Sequence, residues 1–489
     1  MGDRKDRTQR KEFESNAASD HQKILWMFLK ETNMSELIVS ISGIRGIVGE
    51  TITPQVVTKY ALAFGSFLKG KKKVIVGKDT RITGDMVKNA VVSGLLATGC
   101  EVVDIGIAPT PTVQYLTKKL KFDGGIVITA SHNPIQWNAL KFYKQGGLLF
   151  ENSDYSRLKG YLEKGQYNLM PWNKYRTVSC QPQLGDIHIK QVLDSLNFIT
   201  RIKKKRFKVA LDSCNASGSF ITPKLLNILG CRVDSLYTEP DGYFPHNPEP
   251  NKDNLKEIMR FMKKSRFDIG FAQDSDADRL AVLDEKGNFT SEEHTLALAV
   301  YYVLSLYDRS SRLKKFAKSV VVNLSTSRMV DDIARPFQAK VIRTPVGEKN
   351  VAQSLIRSKS VIGGEGNGGV IFPLVNYGRD SLAGIGLVLD LLAFSGKKLS
   401  DLLNEMPSYV MLKTKFNIQH LDVKTIIPKI VKDFSKGKID RRDGVKCDFD
   451  DFWFHIRASN TEPIVRLVIE ARNDCILQDT IKSLKNYFK

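Results

Sequence analysis

The sequence predicts an α/β protein built from three similar α/β units and a smaller C-terminal α+β domain. Two observations carry this. From Met34 onward, short β-branched runs alternate with stretches of helical periodicity, the pattern of βαβ units. In addition, three segments repeat one another. KKKVIVGKDTR from Lys71, RFKVALDSCNAS from Arg206 and AKSVVVNLSTS from Ala317 each set basic residues before an apolar strand that ends in a polar loop.

After one helix length comes a second strand in each unit: GCEVVDIG from Gly99, GCRVDSLY from Gly230 and AKVIRTP from Ala339. The third strands end in ITASHNP, FAQDSDADR and IGGEGNGG. Loops at the carboxyl ends of strands are where open α/β sheets bind ligands, so the three loops are expected to share a cleft. Residues 1–33 read as a disordered extension, followed by domains at 34–180, 181–290, 291–405 and 406–489. His188 to Leu196 reads as the helix opening the second unit. The last domain carries strands around Met411 to Ile418, Trp453 to Ile456 and the run IVRLVIEA.

Composition limits the partners. The 489 residues are 42% hydrophobic and 26% charged, with 35 Gly and 17 Pro, which is globular rather than fibrous or disordered. At roughly 150 residues per domain there is room for three or four. Lys and Arg exceed Asp and Glu by 74 to 53, a net charge of +21 that invites an anionic partner. The basic runs at 69–73 and 201–208 lack aromatic interleaving or a nucleic-acid motif and read as solvated faces, so no nucleic acid is expected. The apolar run Ile24 to Leu29 is too short to span a bilayer, and no membrane partner is expected either. The six cysteines form no CxxC pair and read as reduced, buried thiols of a cytoplasmic protein.

Five loops could carry chemistry. Thr129, Ala130, Ser131, His132, Asn133 and Pro134 follow an apolar strand and expose a serine beside a histidine, which suits a nucleophile or phosphoserine and equally an ordinary capping turn. Asp274, Asp276 and Asp278 alternate, and three carboxylates so placed repel one another unless a cation such as Mg2+ or Ca2+ sits between them. A solvated acidic turn is the simpler alternative. An EF-hand is not expected, because no Gly stands at loop position 6 and position 12 is Glu285 without flanking helices of the right pattern.

In Gly364, Glu365, Gly366, Asn367 and Gly368, Glu365 and Asn367 suit vicinal sugar hydroxyls, while a bare hairpin explains the glycines as well. Arg343 and Thr344 end another strand of that unit. Arg457, Ser459, Asn460 and Thr461 make a phosphate cradle or a polar turn. The fifth segment frames Arg45 with Gly43 and Gly46.

Together and in order, these five segments resemble the α-D-phosphohexomutase family over nearly the whole chain from Met34. That resemblance implies four domains with mixed sheets around a central cleft. It also implies an isomerase that moves phosphate between the 1- and 6-positions of a hexose or amino-hexose through a bisphosphorylated intermediate. It makes Ser131 the phosphoserine, with Asp274, Asp276 and Asp278 holding Mg2+ alongside it. His132, Lys141 and Arg45 would assist proton transfer, Lys141 needing a pKa lowered by cations such as Arg45 or Arg279. Arg279, Arg343, Thr344, Glu365 and Asn367 would surround the sugar, and Arg457, Ser459, Asn460 and Thr461 the non-reacting phosphate. A hexose bisphosphate would charge Ser131, and the enzyme would act as a monomer or homodimer on a phosphorylated sugar.

Three positions depart from the family pattern. Many bacterial phosphoglucosamine mutases read Glu-x-Ser-Gly-His where this chain has Glu365, Gly366, Asn367, Gly368 and Gly369. Asn138 is followed by Ala139 instead of Gly, and Ser275 stands where Gly is usual, a change expected to leave the metal ligands in place. The variants look most like a branch assigned to glucosamine phosphate. Glucosamine is therefore expected ahead of glucose or mannose, with a non-catalytic binder of anionic polymers as the remote alternative.

Overall fold

The structure is a computed structural model that describes residues 37–417, 423–458 and 464–488. The proposed extension at 1–33 lies outside them. The described chain forms four sheets.

One four-stranded unit recurs three times. In the second unit the order is Arg232–Leu236, Lys208–Asp212, Ile269–Gln273, Leu280–Leu283, with three parallel strands and an antiparallel fourth. The third unit repeats it with Lys340–Thr344, Ala317–Asn323, Ser360–Glu365 and Gly369–Ile371. The first embeds the same order, Glu101–Ile107, Lys73–Lys78, Gly124–Ile128 and Trp137–Lys144, in an eight-stranded sheet. There, Gly43–Ile47 adds to the free edge of Trp137–Lys144, pairing Gly43 with Lys141 and Arg45 with Ala139.

Helices on the sheet faces explain why the central strands read as continuous apolar runs. Ile269–Gln273 and Ser360–Glu365 are buried at every position. The helices start at recognisable signals. Thr53 Oγ1 accepts from Val56 N at 3.3 Å and Pro54 follows it, while Asp380 accepts from Leu382 N and Ala383 N at the head of Ser381–Ser395. The second and third units share one apolar core, in which Leu296, Val300 and Val388 pack with Val209, Phe271, Val320 and Val370. That shared core accounts for the lack of a linker between them.

The last domain is a five-stranded antiparallel sheet, ordered Val410–Asn417, Ile464–Ala471, Phe452–Ala458, Val445–Asp448, Lys438–Asp440. The helices Val423–Asp433 and Asp474–Lys485 accompany it. It docks on the third unit through Arg328, which donates to Asp450 O, Asp448 Oδ1 and Phe449 O while its amide donates to Glu470.

No helix among the described residues is long and apolar enough to cross a membrane. All six cysteines are unpaired, but Cys180 and Cys475 are exposed, against the expectation that every thiol is buried. Cys180 ends the edge strand Val178–Cys180, and Cys475 lies in the first turn of the helix Asp474–Lys485.

Candidate active site

Each unit turns between its third and fourth strands, and the turns bring Ser131, the aspartates and Glu365 together. Ser131 has φ +51°, a left-handed conformation uncommon for serine. Arg81, in the loop after the first strand of the same unit, holds it there. Its Nη2 donates to Ser131 O and Asn133 O at 2.7 Å each, and its Nη1 to Pro134 O at 2.6 Å and Trp137 O at 3.0 Å. Its Nε donates to Asp79 Oδ2 at 3.0 Å. All five guanidinium N–H donors are thereby used. Ser275 Oγ also donates to Ser131 O, at 2.7 Å, so the residue that replaces the usual glycine joins the two loops.

With its carbonyl fixed, Ser131 aims Oγ at Asp274 Oδ2, 2.9 Å away, and at His132 Nδ1, 3.4 Å away. Asp274 Oδ1 accepts from Asp278 N at 3.0 Å and Arg279 N at 3.1 Å. Asp276 Oδ2 accepts from Lys141 Nζ and Thr110 Oγ1, both at 2.5 Å, and Asp278 Oδ2 from Arg379 Nη2 at 2.6 Å. The three aspartates are fully buried, each offers one oxygen within 4.8 Å of the others, and Oδ1 of Asp276 and of Asp278 has no hydrogen-bond partner. Buried, convergent and partly unpartnered carboxylate oxygens fit a hard divalent cation.

The electrostatics depart from the sequence expectation at one residue. Burial acts to lower the Lys141 pKa, but Asp276 and Asp278 outweigh it and the pKa is raised. The expected lowering by Arg45 or Arg279 is overturned because Lys141 Nζ sits on the carboxylates, 2.5 Å from Asp276 and 3.6 Å from Asp278. His132 goes the other way: Arg279, burial and Arg45 together push its imidazole well below the usual range, leaving it neutral. Burial and the charges of Asp276 and Asp278 raise Asp274. Burial also opposes the Asp276 charge, yet Lys141 outweighs it and that carboxyl falls below the usual range.

A cleft of about 570 Å³ is lined by Glu249 of the second unit, Glu365 and Asn367 of the third, and Lys413, His455 and Arg457 of the last domain. Glu365 is rigidly held. Its Oε1 accepts from Asn323 Nδ2 at 2.8 Å and Gly347 N at 3.0 Å, and its Oε2 from Arg379 Nη1 at 3.0 Å. Arg279 Nη1 donates to Glu249 Oε1 at 3.3 Å, and its Nε lies 4.0 Å from Asp274 and 3.9 Å from Asp278. Arg45 Nη1 donates to Asn133 Oδ1 at 2.6 Å, tying its strand to the serine loop. Arg457, which lines the cleft, lies 3.8 Å from Asp443.

Not all expected residues gather here. Arg343 is absent from the cleft lining: its guanidinium donates to Asn323 O, Thr326 O and Ser327 O and pairs with Asp331. Thr344 is turned onto Pro345 O at 2.9 Å. Ser459, Asn460 and Thr461 lie outside the described residues. Conversely, Arg81, Thr110, Glu348, Arg379 and His455 are brought to the site without having been picked out. Arg81 had a signal, since it occupies the loop after the first strand of the repeated unit. Arg379 had none in its own surroundings.

Comparison with known proteins agrees with this architecture. The chain matches the phosphoglucomutase/phosphomannomutase α/β/α domains I, II and III over residues 37–168, 186–287 and 291–409, and the C-terminal domain over 420–484. It is 40% identical over 439 residues to a phosphoglucomutase/phosphomannomutase of Thermococcus kodakarensis, covering 88% of this chain and 94% of that one. It is 34% identical over 448 residues to a phosphoglucosamine/phosphogalactosamine mutase of Sulfurisphaera tokodaii, covering 91% and 97%. The crystal structure of a phosphoglucomutase/phosphomannomutase family protein from Burkholderia thailandensis is similar with a TM-score of 0.78 at 25% identity, covering 92% and 97%. Matched domain by domain in order, the chain belongs to the phosphoglucomutase/phosphomannomutase family and is a phosphohexomutase.

Proposed function

We propose that this mutase interconverts the 6- and 1-phosphates of a hexosamine, glucosamine first, through phosphorylated Ser131 and a bisphosphorylated sugar. The observation that carries the mechanism is Ser131 Oγ, 2.9 Å from a buried triad of aspartates. Mg2+ held by Asp274, Asp276 and Asp278 would spread the charge of the transferred phosphoryl group. The chain's own groups do the rest. Arg81 and Ser275 fix the serine, Lys141 and Arg279 present positive charge to phosphoryl oxygens, and neutral His132 accepts the hydroxyl proton of the attacking sugar.

In the transfer the P–Oγ bond of the phosphoserine breaks as a sugar oxygen bonds to phosphorus. The bisphosphate then turns; the bond between its other phosphorus and the sugar oxygen breaks as Ser131 Oγ bonds to that phosphorus, and His132 gives its proton to the freed sugar hydroxyl. Glu365 and Asn367 would hold sugar hydroxyls, and Arg457 with Ser459, Asn460 and Thr461 the phosphate that is not reacting. Remote binding of that phosphate supplies energy for orientation at Ser131. The amino-sugar preference is supported by the Sulfurisphaera tokodaii relative, while the Thermococcus kodakarensis relative supports a glucose or mannose phosphate mutase as the second reading. A cytoplasmic enzyme, monomeric or homodimeric and charged by a hexose bisphosphate, completes the proposal.

The test is a coupled assay with Mg2+ on glucosamine, glucose and mannose 6-phosphates in parallel, with Ser131→Ala as control. The expected result is highest kcat/KM on glucosamine phosphate and none above background for the variant. Higher kcat/KM on glucose or mannose phosphate overturns the sugar, and near-normal turnover by Ser131→Ala overturns the mechanism.

A further inference from the structure

We infer that Arg379 is a positioning residue that couples the metal-binding and sugar-binding halves of the site through one guanidinium. The inference rests on the mutase reading above. Arg379 lies in the loop between the strand Gly369–Ile371 and the helix Ser381–Ser395. Its Nη2 donates to Asp278 Oδ2 at 2.6 Å and its Nη1 to Glu365 Oε2 at 3.0 Å, so one planar fork spans both loops. Glu348 steadies it, accepting from the Arg379 amide at 3.1 Å and lying 3.6 Å from Nε. Three carboxylates therefore face one buried cation whose side chain is 11% exposed.

The neighbouring residue anchors this arrangement across three units. Asp380 caps the helix with Oδ1, while its Oδ2 lies 2.8 Å from His188 Nε2, and His188 Nδ1 lies 2.9 Å from Thr112 Oγ1. His188 is fully buried. Arg379 thus stands on a fixed base and has little freedom to follow either loop alone.

Arg379 also explains a departure in the sequence. A Cβ at Gly369 would lie 2.3 Å from Arg379 Cδ, closer than real contacts allow. Gly369 is the position at which the Glu-x-Ser-Gly-His pattern carries histidine. Here the stem of Arg379 fills that space, and the cation beside Glu365 arrives from another loop.

Calorimetry on the full chain tests the coupling, with Mg2+ alone and then with glucosamine 6-phosphate and glucose 6-phosphate, for wild type, Arg379→Ala, Arg379→Lys, Gly369→His and the double variant Arg379→Ala with Gly369→His. Arg379→Ala is expected to weaken both Mg2+ and sugar phosphate binding by about 10–100-fold, the usual loss on removing a group that orients metal ligands. Arg379→Lys and added guanidinium should restore part of both. Gly369→His should be more damaging alone than in the Arg379→Ala background, where the clashing stem is gone. Loss on one side only, or on neither, overturns the coupling, as does a loss that a melting curve assigns to unfolding and guanidinium leaves unrescued. A wild type that binds Mg2+ but neither sugar phosphate overturns the function proposed above instead.

Discussion

Arg81 Nη2 donates to the main-chain carbonyl of Ser131 at 2.7 Å, holding a serine whose φ is +51°. Such a conformation costs on the order of 1 kcal/mol and persists only where its surroundings impose it. Arg81→Met removes all five hydrogen bonds of the side chain and leaves Asp79, fully buried, without its cation. Breaking a buried pair by removing one partner costs about 3–5 kcal/mol. Denaturant unfolding should show a loss of that size, and mutase turnover should fall with it. A variant of normal stability and turnover would remove Arg81 from this role.

The aspartate triad makes a prediction about metal dependence. A chelator should stop turnover and Mg2+ should restore it. Asp276→Asn keeps the shape of the side chain but deletes one of the three carboxylate charges of the triad, and the charge of the ligand set governs affinity for hard cations. The concentration of Mg2+ giving half-maximal rate should rise by at least about tenfold. An unchanged Mg2+ titration would exclude Asp276 from the cation site.

The three repeated units were legible because each places a β-branched run before a polar loop, and a buried parallel strand needs that pattern whatever its partners. That Ser131 and the aspartates would meet was legible for a related reason: each follows the third strand of its unit, and equivalent loops of repeated units fall at the same end of their sheets, although either loop alone reads equally as a capping or acidic turn. The bracing of Asn323 O and Thr326 O by Arg343 was not legible, because a strand-end arginine looks the same in sequence whether it meets a ligand or holds carbonyls. Lys141 misled because its neighbours in sequence are apolar and the carboxylates that raise its pKa come from another unit. Arg379 was invisible, its only trace being the missing side chain at Gly369.

His246 carries a pH signature. Its Nε2 faces Asp212 Oδ2 at 3.0 Å and its Nδ1 faces Asn247 O at 2.8 Å, so both ring nitrogens meet acceptors and both must donate. Burial acts to lower its pKa, but Asp212 and Cys214 outweigh burial and raise it to about 11. The folded state therefore binds this proton more tightly than the unfolded chain. The stabilisation is complete below the unfolded pKa of about 6.5 and is lost as pH rises towards the folded value. The difference in unfolding free energy between wild type and His246→Gln should be largest near neutral and acid pH and should shrink as pH approaches 11. A difference that stays flat through that range would mean a neutral imidazole.

Gly366 tests how tightly the loop 365–369 is packed on the last domain. A Cβ there would lie 2.1 Å from both carboxylate oxygens of Glu293. A flexible side chain could swing away, but Glu293 is pinned: Oε2 accepts from Ser327 N at 3.0 Å and Oε1 pairs with Lys413 at 3.0 Å. Lys413 Nζ in turn donates to Gly366 O at 2.8 Å, closing a ring between the two domains. Gly366→Ala must therefore break one of these bonds, and leaving a buried carboxylate short of a partner costs about 1–3 kcal/mol. Because Gly366, Glu293 and Lys413 all line the cleft, the expected result is a raised KM for the sugar phosphate together with reduced stability. Glu293→Ala in the same chain removes the obstacle, so the double variant should lose less than the sum of the single losses, by about 0.5 kcal/mol or more. Strictly additive losses would show that the loop has room to move away from Glu293.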